Sequence, residues 1–146
     1  AHYYSPEVMN EQASALGVAC SKAIEESGKK VVLISSHSLS HRHFVTESPL
    51  PEDMSREHIY NHSQYVWDMK LVDLMRDGKM REVIDIMPEF TEQTIAETEA
   101  GGLTWMMAAM GYPDYPAEIY GYQSVIGTGN LIAAWDPLEA TREIVL

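Results

Sequence analysis

Apolar residues recur at helical spacing near the start of the chain: Val8, Ala15, Leu16, Ala19, Ala23 and Ile24. That repeat marks one face of an amphipathic helix. Ser5 followed by Pro6 reads as an N-cap with proline at the first helical position, and Gly28 reads as the stop. The period then changes. "KKVVLIS" (29–35) is a β-branched run without alternation, the pattern of a strand covered on both faces. Helix, glycine and buried strand in succession are the rhythm of an α/β layer.

From Ser36 to Asp53 the pattern lapses, with Pro49 and Pro51 inside it, and a long loop is expected. Ser55 can cap a helix running to about Arg76, with Ile59, Val66, Met69, Leu71, Val72 and Met75 near one face and Gly78 ending it. "KMREVIDIM" (79–87) predicts a short helix halted by Pro88. Thr91 opens another, which Gly101 and Gly102 interrupt before "LTWMMAAM" (103–110) resumes an apolar helix. "AEIYGYQSVIGTGNLIAAWD" (117–136) alternates, predicting two late strands joined by the turn "GTGN". No internal repeat or domain boundary is visible. The expectation is a single α/β unit over residues 1–146, a buried mixed sheet flanked by helices.

Composition bounds what such a unit does. A chain of 146 residues with 45% hydrophobic content can bury roughly 68–70% of its unfolded surface. Ten Lys and Arg against 22 Asp and Glu give a net charge of −12, which argues against nucleic acid or an anionic membrane as a partner. Cys20 is the only cysteine, so no internal disulfide is possible, and a reducing, cytoplasmic location is expected. No apolar run approaches the roughly 20 residues of a membrane span, and no signal peptide opens the chain. The first residue is Ala1 rather than methionine, as in a processed product or part of a longer polypeptide.

"SHSLSHRHF" (36–44) carries His37, His41 and His43 directly after the hydrocarbon run. Imidazoles move protons or hold metals near neutral pH, and ligands of open α/β sheets gather at the carboxyl ends of strands. An exposed loop that is histidine-rich by chance is the bland alternative. His58 and His62 are four apart on a predicted helix, but "HIYNH" lacks the Glu that zinc hydrolases place after the first His. A solvated helix face is the better account of that pair. Glu97 and Glu99 precede a double glycine, where solvated glutamates are common. "GTGN" lacks the length and lysine of a phosphate loop. No GxSxG is present, and Cys20 sits inside a helix without a partner histidine, so nucleophilic catalysis has little support.

Taken together, "SLSHRHF", "IAETEAGGLTWMMAAMG" and "YGYQSVIGTGNLIAAWDP" resemble the class III extradiol ring-cleavage dioxygenases, the group that includes protocatechuate 4,5-dioxygenase. The resemblance covers most of this chain but only the C-terminal half of such a catalytic subunit. It implies extradiol cleavage of 2-aminophenol or a catechol-like aromatic with O2, and a non-haem Fe(II) held by two histidines and one carboxylate. The histidine of the family's "SxSH" falls on His41, which the resemblance makes the acid/base outside the metal shell. The carboxylate ligand falls on Glu97, with Glu99 the alternative if the register slips by two.

The family's two iron-binding histidines lie in its N-terminal half, and nothing here matches them. His2, His37, His58 and His62 replace them only if the site is rebuilt. The chain is therefore expected to be the C-terminal portion of a longer subunit, working beside a homologous second subunit. Two other readings remain open. One is a non-catalytic homologous subunit, against which the presence of both His41 and Glu97 counts. The other is a zinc hydrolase using His58, His62 and a loop histidine, against which the missing base counts.

Overall fold

The computed structural model describes residues 5–41, 61–125 and 127–137. The first helix, α1 (Pro6–Ser27), has the ends expected of it. Ser5 Oγ accepts from the Val8 N–H at 3.3 Å, and Gly28 closes the helix in the left-handed conformation at φ 63°. Its buried face differs from the periodic reading. Ala13 and Gly17 are the buried positions, whereas Val8, Ala15, Leu16, Ala19 and Ala23 are exposed. Gly17 explains the difference. A Cβ there would overlap the Trp105 carbonyl and Ala108, so the missing side chain lets α1 lie directly on α5 (Gly101–Ala109).

The stretch expected to be a buried strand takes no regular secondary structure and has no strand partner among the described residues. Val32 is 85% exposed and Ile34 79%, so the expected burial is corrected. A β-branched composition does not by itself make a strand, and a partner strand to cover this run is lacking among the described residues.

Helix α2 (His62–Arg76) begins later than expected. Asn61 is extended (φ −144°, ψ 128°), and its side chain caps the helix by accepting from the Ser63 N–H at 2.8 Å. The helix does not run back through Asn61 toward Ser55, which itself lies outside the described residues. Two short helices follow, α3 (Met80–Asp85) and α4 (Met87–Thr94). Pro88, expected to halt the first, sits in the opening turn of the second, where its missing N–H costs nothing.

The break expected at the double glycine falls earlier. Ile95, Thr98, Glu99 and Ala100 all have φ between 47° and 52°, and a 3₁₀ turn spans Glu97–Ala100. Gly101 and Gly102 instead begin α5.

Strands β1 (Glu118–Val125) and β2 (Thr128–Ala134) form the expected antiparallel hairpin, from Glu118 opposite Ala134 to Val125 opposite Thr128. The turn falls ahead of most of "GTGN": Gly127 takes the left-handed position at φ 75°, and Thr128, Gly129 and Asn130 already lie in β2. The chain is thus α/β as expected. Among the described residues, however, its sheet is this two-stranded antiparallel ribbon rather than a buried mixed sheet. The core gathers Leu71, Val72 and Met75 of α2, Met80, Val83, Met87 and Phe90 of α3 and α4, and Leu103 and Met107 of α5.

Candidate functional site

The loop at residues 37–41 is held by backbone hydrogen bonds to two elements, β2 and α4. The Leu39 N–H donates to the Gly129 carbonyl at 2.9 Å, and the Gly129 N–H donates to the Ser40 carbonyl at 3.0 Å. The His41 N–H donates to the Thr94 carbonyl at 3.1 Å at the end of α4. Gln64 of α2 donates to the same Thr94 carbonyl at 2.9 Å. Each bond is non-local, so the loop acquires its shape only when β2, α2 and α4 are in place.

Glu97 meets this loop from the other side. Its Oε2 accepts the Ser38 N–H at 3.1 Å. An ionised carboxylate offers about four lone-pair sites, so this one bond leaves capacity for another electropositive group. The half-buried Glu97 lies two residues past Ile95 and directly before Thr98, both in the left-handed conformation. Such backbone costs about 1–3 kcal/mol per non-glycine residue and persists only where the surroundings over-determine it. Glu99 is buried at 7% exposure.

The other sequence candidates separate. His37 Nδ1 donates to the Ser38 carbonyl at 2.7 Å, and its ring packs over Gly102, where a Cβ would come within 3.1 Å of it. His62 is exposed at the first position of α2. His58, His43 and His2 lie outside the described residues. Asn61 is extended and caps α2, so the helix that carries His62 begins at His62 itself. Cys20 accepts a hydrogen bond from the Trp105 indole at 3.4 Å between α1 and α5.

Among the described residues, no three His, Cys, Asp or Glu side chains stand together as an ion would require. A cavity of about 60 Å³ lined by Ser35, His37, Leu39, Leu103, Leu131 and Trp135 is far below the roughly 300–1,000 Å³ of ligand pockets. Glu97 thus fits an iron site as one oxygen donor, and the described residues do not complete a ligand set around it.

Sequence reasoning passed over Asp68. This carboxyl is fully buried on the inner face of α2 and accepts three hydrogen bonds: the Ser40 N–H on Oδ1 at 2.9 Å, and the Ser40 and Tyr122 hydroxyls on Oδ2, each at 2.6 Å. Burial pushes the Asp68 carboxyl above the usual carboxylate range, and the hydroxyls of Ser40 and Tyr122 only partly offset it. Burial and the neighbouring Asp68 raise the Tyr122 phenol in turn. The signal was present in the sequence. Gln64 and Asp68 precede Leu71, Val72 and Met75 on one buried face of α2, and a buried Asp needs partners. A glycine inside a strand, here Gly129, marks a close backbone approach.

No helix among the described residues is long and apolar enough to cross a membrane. The profile of a family described as the catalytic LigB subunit of aromatic ring-opening dioxygenase matches residues 2–133. The chain is 47% identical over 139 residues to the 2-aminophenol 1,6-dioxygenase beta subunit of a Pseudomonas species, an alignment covering 95% of this chain and 46% of that one. It is 27% identical over 105 residues to 3,4-dihydroxyphenylacetate 2,3-dioxygenase of Escherichia coli, covering 72% of this chain and 37% of that one. The chain therefore spans less than half the length of these curated relatives. On the match over 2–133 and the 47% identity, this chain belongs to the family of catalytic LigB subunits of aromatic ring-opening dioxygenases.

Proposed function

We propose that this chain is the C-terminal part of the catalytic subunit of an extradiol dioxygenase that opens 2-aminophenol or a catechol-like ring with Fe(II) and O2. The observation that carries the reading is the hydrogen bond by which the His41 loop holds Glu97, in a chain 47% identical to a 2-aminophenol 1,6-dioxygenase beta subunit. Glu97 is the carboxylate ligand. The two histidine ligands come from the remainder of the subunit, in keeping with relatives about twice as long. Fe(II), held by Glu97 and those two histidines, would supply the O2 chemistry of ring opening.

His41 is the acid/base. Its imidazole takes the proton of the substrate's ring hydroxyl and returns a proton as the ring opens, the general acid–base role that histidine most often fills. Glu97 is presented by left-handed backbone, of the kind that is kept where position matters more than local energy. The exposed run of Val31, Val32 and Ile34 is the surface that the rest of the subunit covers, since apolar side chains are costly to leave in water. A homologous second subunit and a cytoplasmic location complete the proposal. The beta-subunit name of the relative supports the first, and the single cysteine supports the second.

The test is to load the complete subunit with Fe(II) without oxygen, add 2-aminophenol or catechol, and then admit O2. Oxygen uptake equimolar with ring-opened product is expected. Iron-loaded protein that consumes no O2 with either substrate contradicts the proposal.

A further inference from the structure

The dioxygenase reading uses His41 and Glu97 but leaves unexplained why a fully buried carboxyl lies behind the loop. Asp68 holds both the backbone N–H and the hydroxyl of Ser40, the residue directly before His41. The Ser40 carbonyl is taken by the Gly129 N–H at 3.0 Å. Every polar group of Ser40 is therefore bonded, and the peptide entering His41 is fixed from α2 and β2 together. The Tyr122 hydroxyl, on the same Oδ2, ties β1 to the cluster. The fit is close: a Cβ on Gly129 would overlap Asp68 Oδ2 and come within 2.6 Å of the Tyr122 hydroxyl and 2.8 Å of Ser40 Oγ.

Burying a carboxyl is costly unless it is well bonded, and an apolar side chain would fill the same space without that cost. The carboxyl accomplishes something an apolar residue cannot, which is to fix the direction of the Ser40 peptide. We infer that Asp68 is a positioning residue for the ring-cleavage reaction, acting through Ser40 to set where the His41 imidazole stands. This inference rests on the reading of His41 as the acid/base.

The test is a double-mutant cycle in the complete, iron-loaded subunit. Asp68→Ala is expected to lower kcat by roughly ten- to a hundredfold, as misplacement of a catalytic group does, with KM and iron content unchanged. Asp68→Asn, which keeps an acceptor for the Ser40 N–H, is expected to recover most of that loss. In the His41→Ala background, Asp68→Ala should change kcat by less than about twofold, because its effect passes through the missing imidazole. Equal losses in both backgrounds, or no loss in either, overturn the inference. If His41→Ala alone leaves turnover intact, the reading of His41 has failed, and the inference falls with it for that separate reason. Should Asp68→Ala not fold, Ser40→Ala replaces it in the same cycle, since it removes only the hydroxyl arm. The same two patterns decide.

Discussion

The Ser38 N–H donates to Glu97 Oε2 at 3.1 Å, joining residues 59 apart in sequence. Three residues on, the His41 N–H donates to Thr94, at the end of the helix that leads into Glu97. The loop and the acidic turn therefore hold each other at two points, and neither can shift without the other. The proposed division of proton transfer and metal ligation between these segments would need such mutual registration, because catalytic groups must be held in productive geometry.

Gly129→Ala is expected to be strongly destabilising. The new Cβ meets the Asp68 carboxylate, the Tyr122 hydroxyl and Ser40 Oγ together, and none can retreat without losing a hydrogen bond. Overpacking of this kind costs about 1–3 kcal/mol or more. Thermal unfolding measures it, and an unchanged midpoint would mean that the cluster is looser than described.

Asp68→Asn should alter how stability depends on pH. Burial raises the Asp68 carboxyl above its ordinary value, so the folded state holds that proton more tightly than the unfolded chain does. The group's stabilising contribution is thus complete below the unfolded value of about 3.9 and is lost as pH rises through the raised folded value. The amide that replaces the carboxyl carries no such proton. The melting midpoint of the variant should gain on the wild type as pH climbs from about 4, then level off. A variant that loses ground to the wild type as pH rises contradicts the assignment.

What the sequence revealed follows the range of the physics involved. Helix ends are local, and Ser5 and Gly28 were readable as caps because an N-cap oxygen and a left-handed glycine act within one turn. The buried face of α1 was not readable from apolar spacing. Its closest contact uses Gly17, which has no side chain to count as hydrophobic. The strand expected over "KKVVLIS" is not formed among the described residues, since strand pairing is decided by residues far away in sequence.

The candidate site divides along the same line. His41 and Glu97 stood out because two short motifs together resemble a family, and the structure brings their segments into contact. The left-handed run at Thr98, Glu99 and Ala100 had no sequence signal, because none of these residue types favours that conformation and tertiary contacts impose it. Asp68 was hidden by its surroundings. A lone acid among apolar positions of a helix reads as an irregularity until its three donors are seen.

The chain of residues 1–146 by itself should bind Fe(II) weakly and open no aromatic ring. A site of this type needs two histidines and a carboxylate, and among the described residues no such group forms. Anaerobic titration of the isolated chain, followed by oxygen and 2-aminophenol, checks this. Stoichiometric tight iron with steady turnover would show the ligand set to be complete within it.

The central claim is tested most directly by iron content and turnover in three variants of the complete subunit. Glu97→Ala should abolish iron retention, whereas Glu99→Ala should retain most of it. His41→Ala should keep iron and lose about 10²–10⁴-fold in turnover, the usual cost of removing acid/base help. Iron lost on changing His41, or retained without Glu97, contradicts the account.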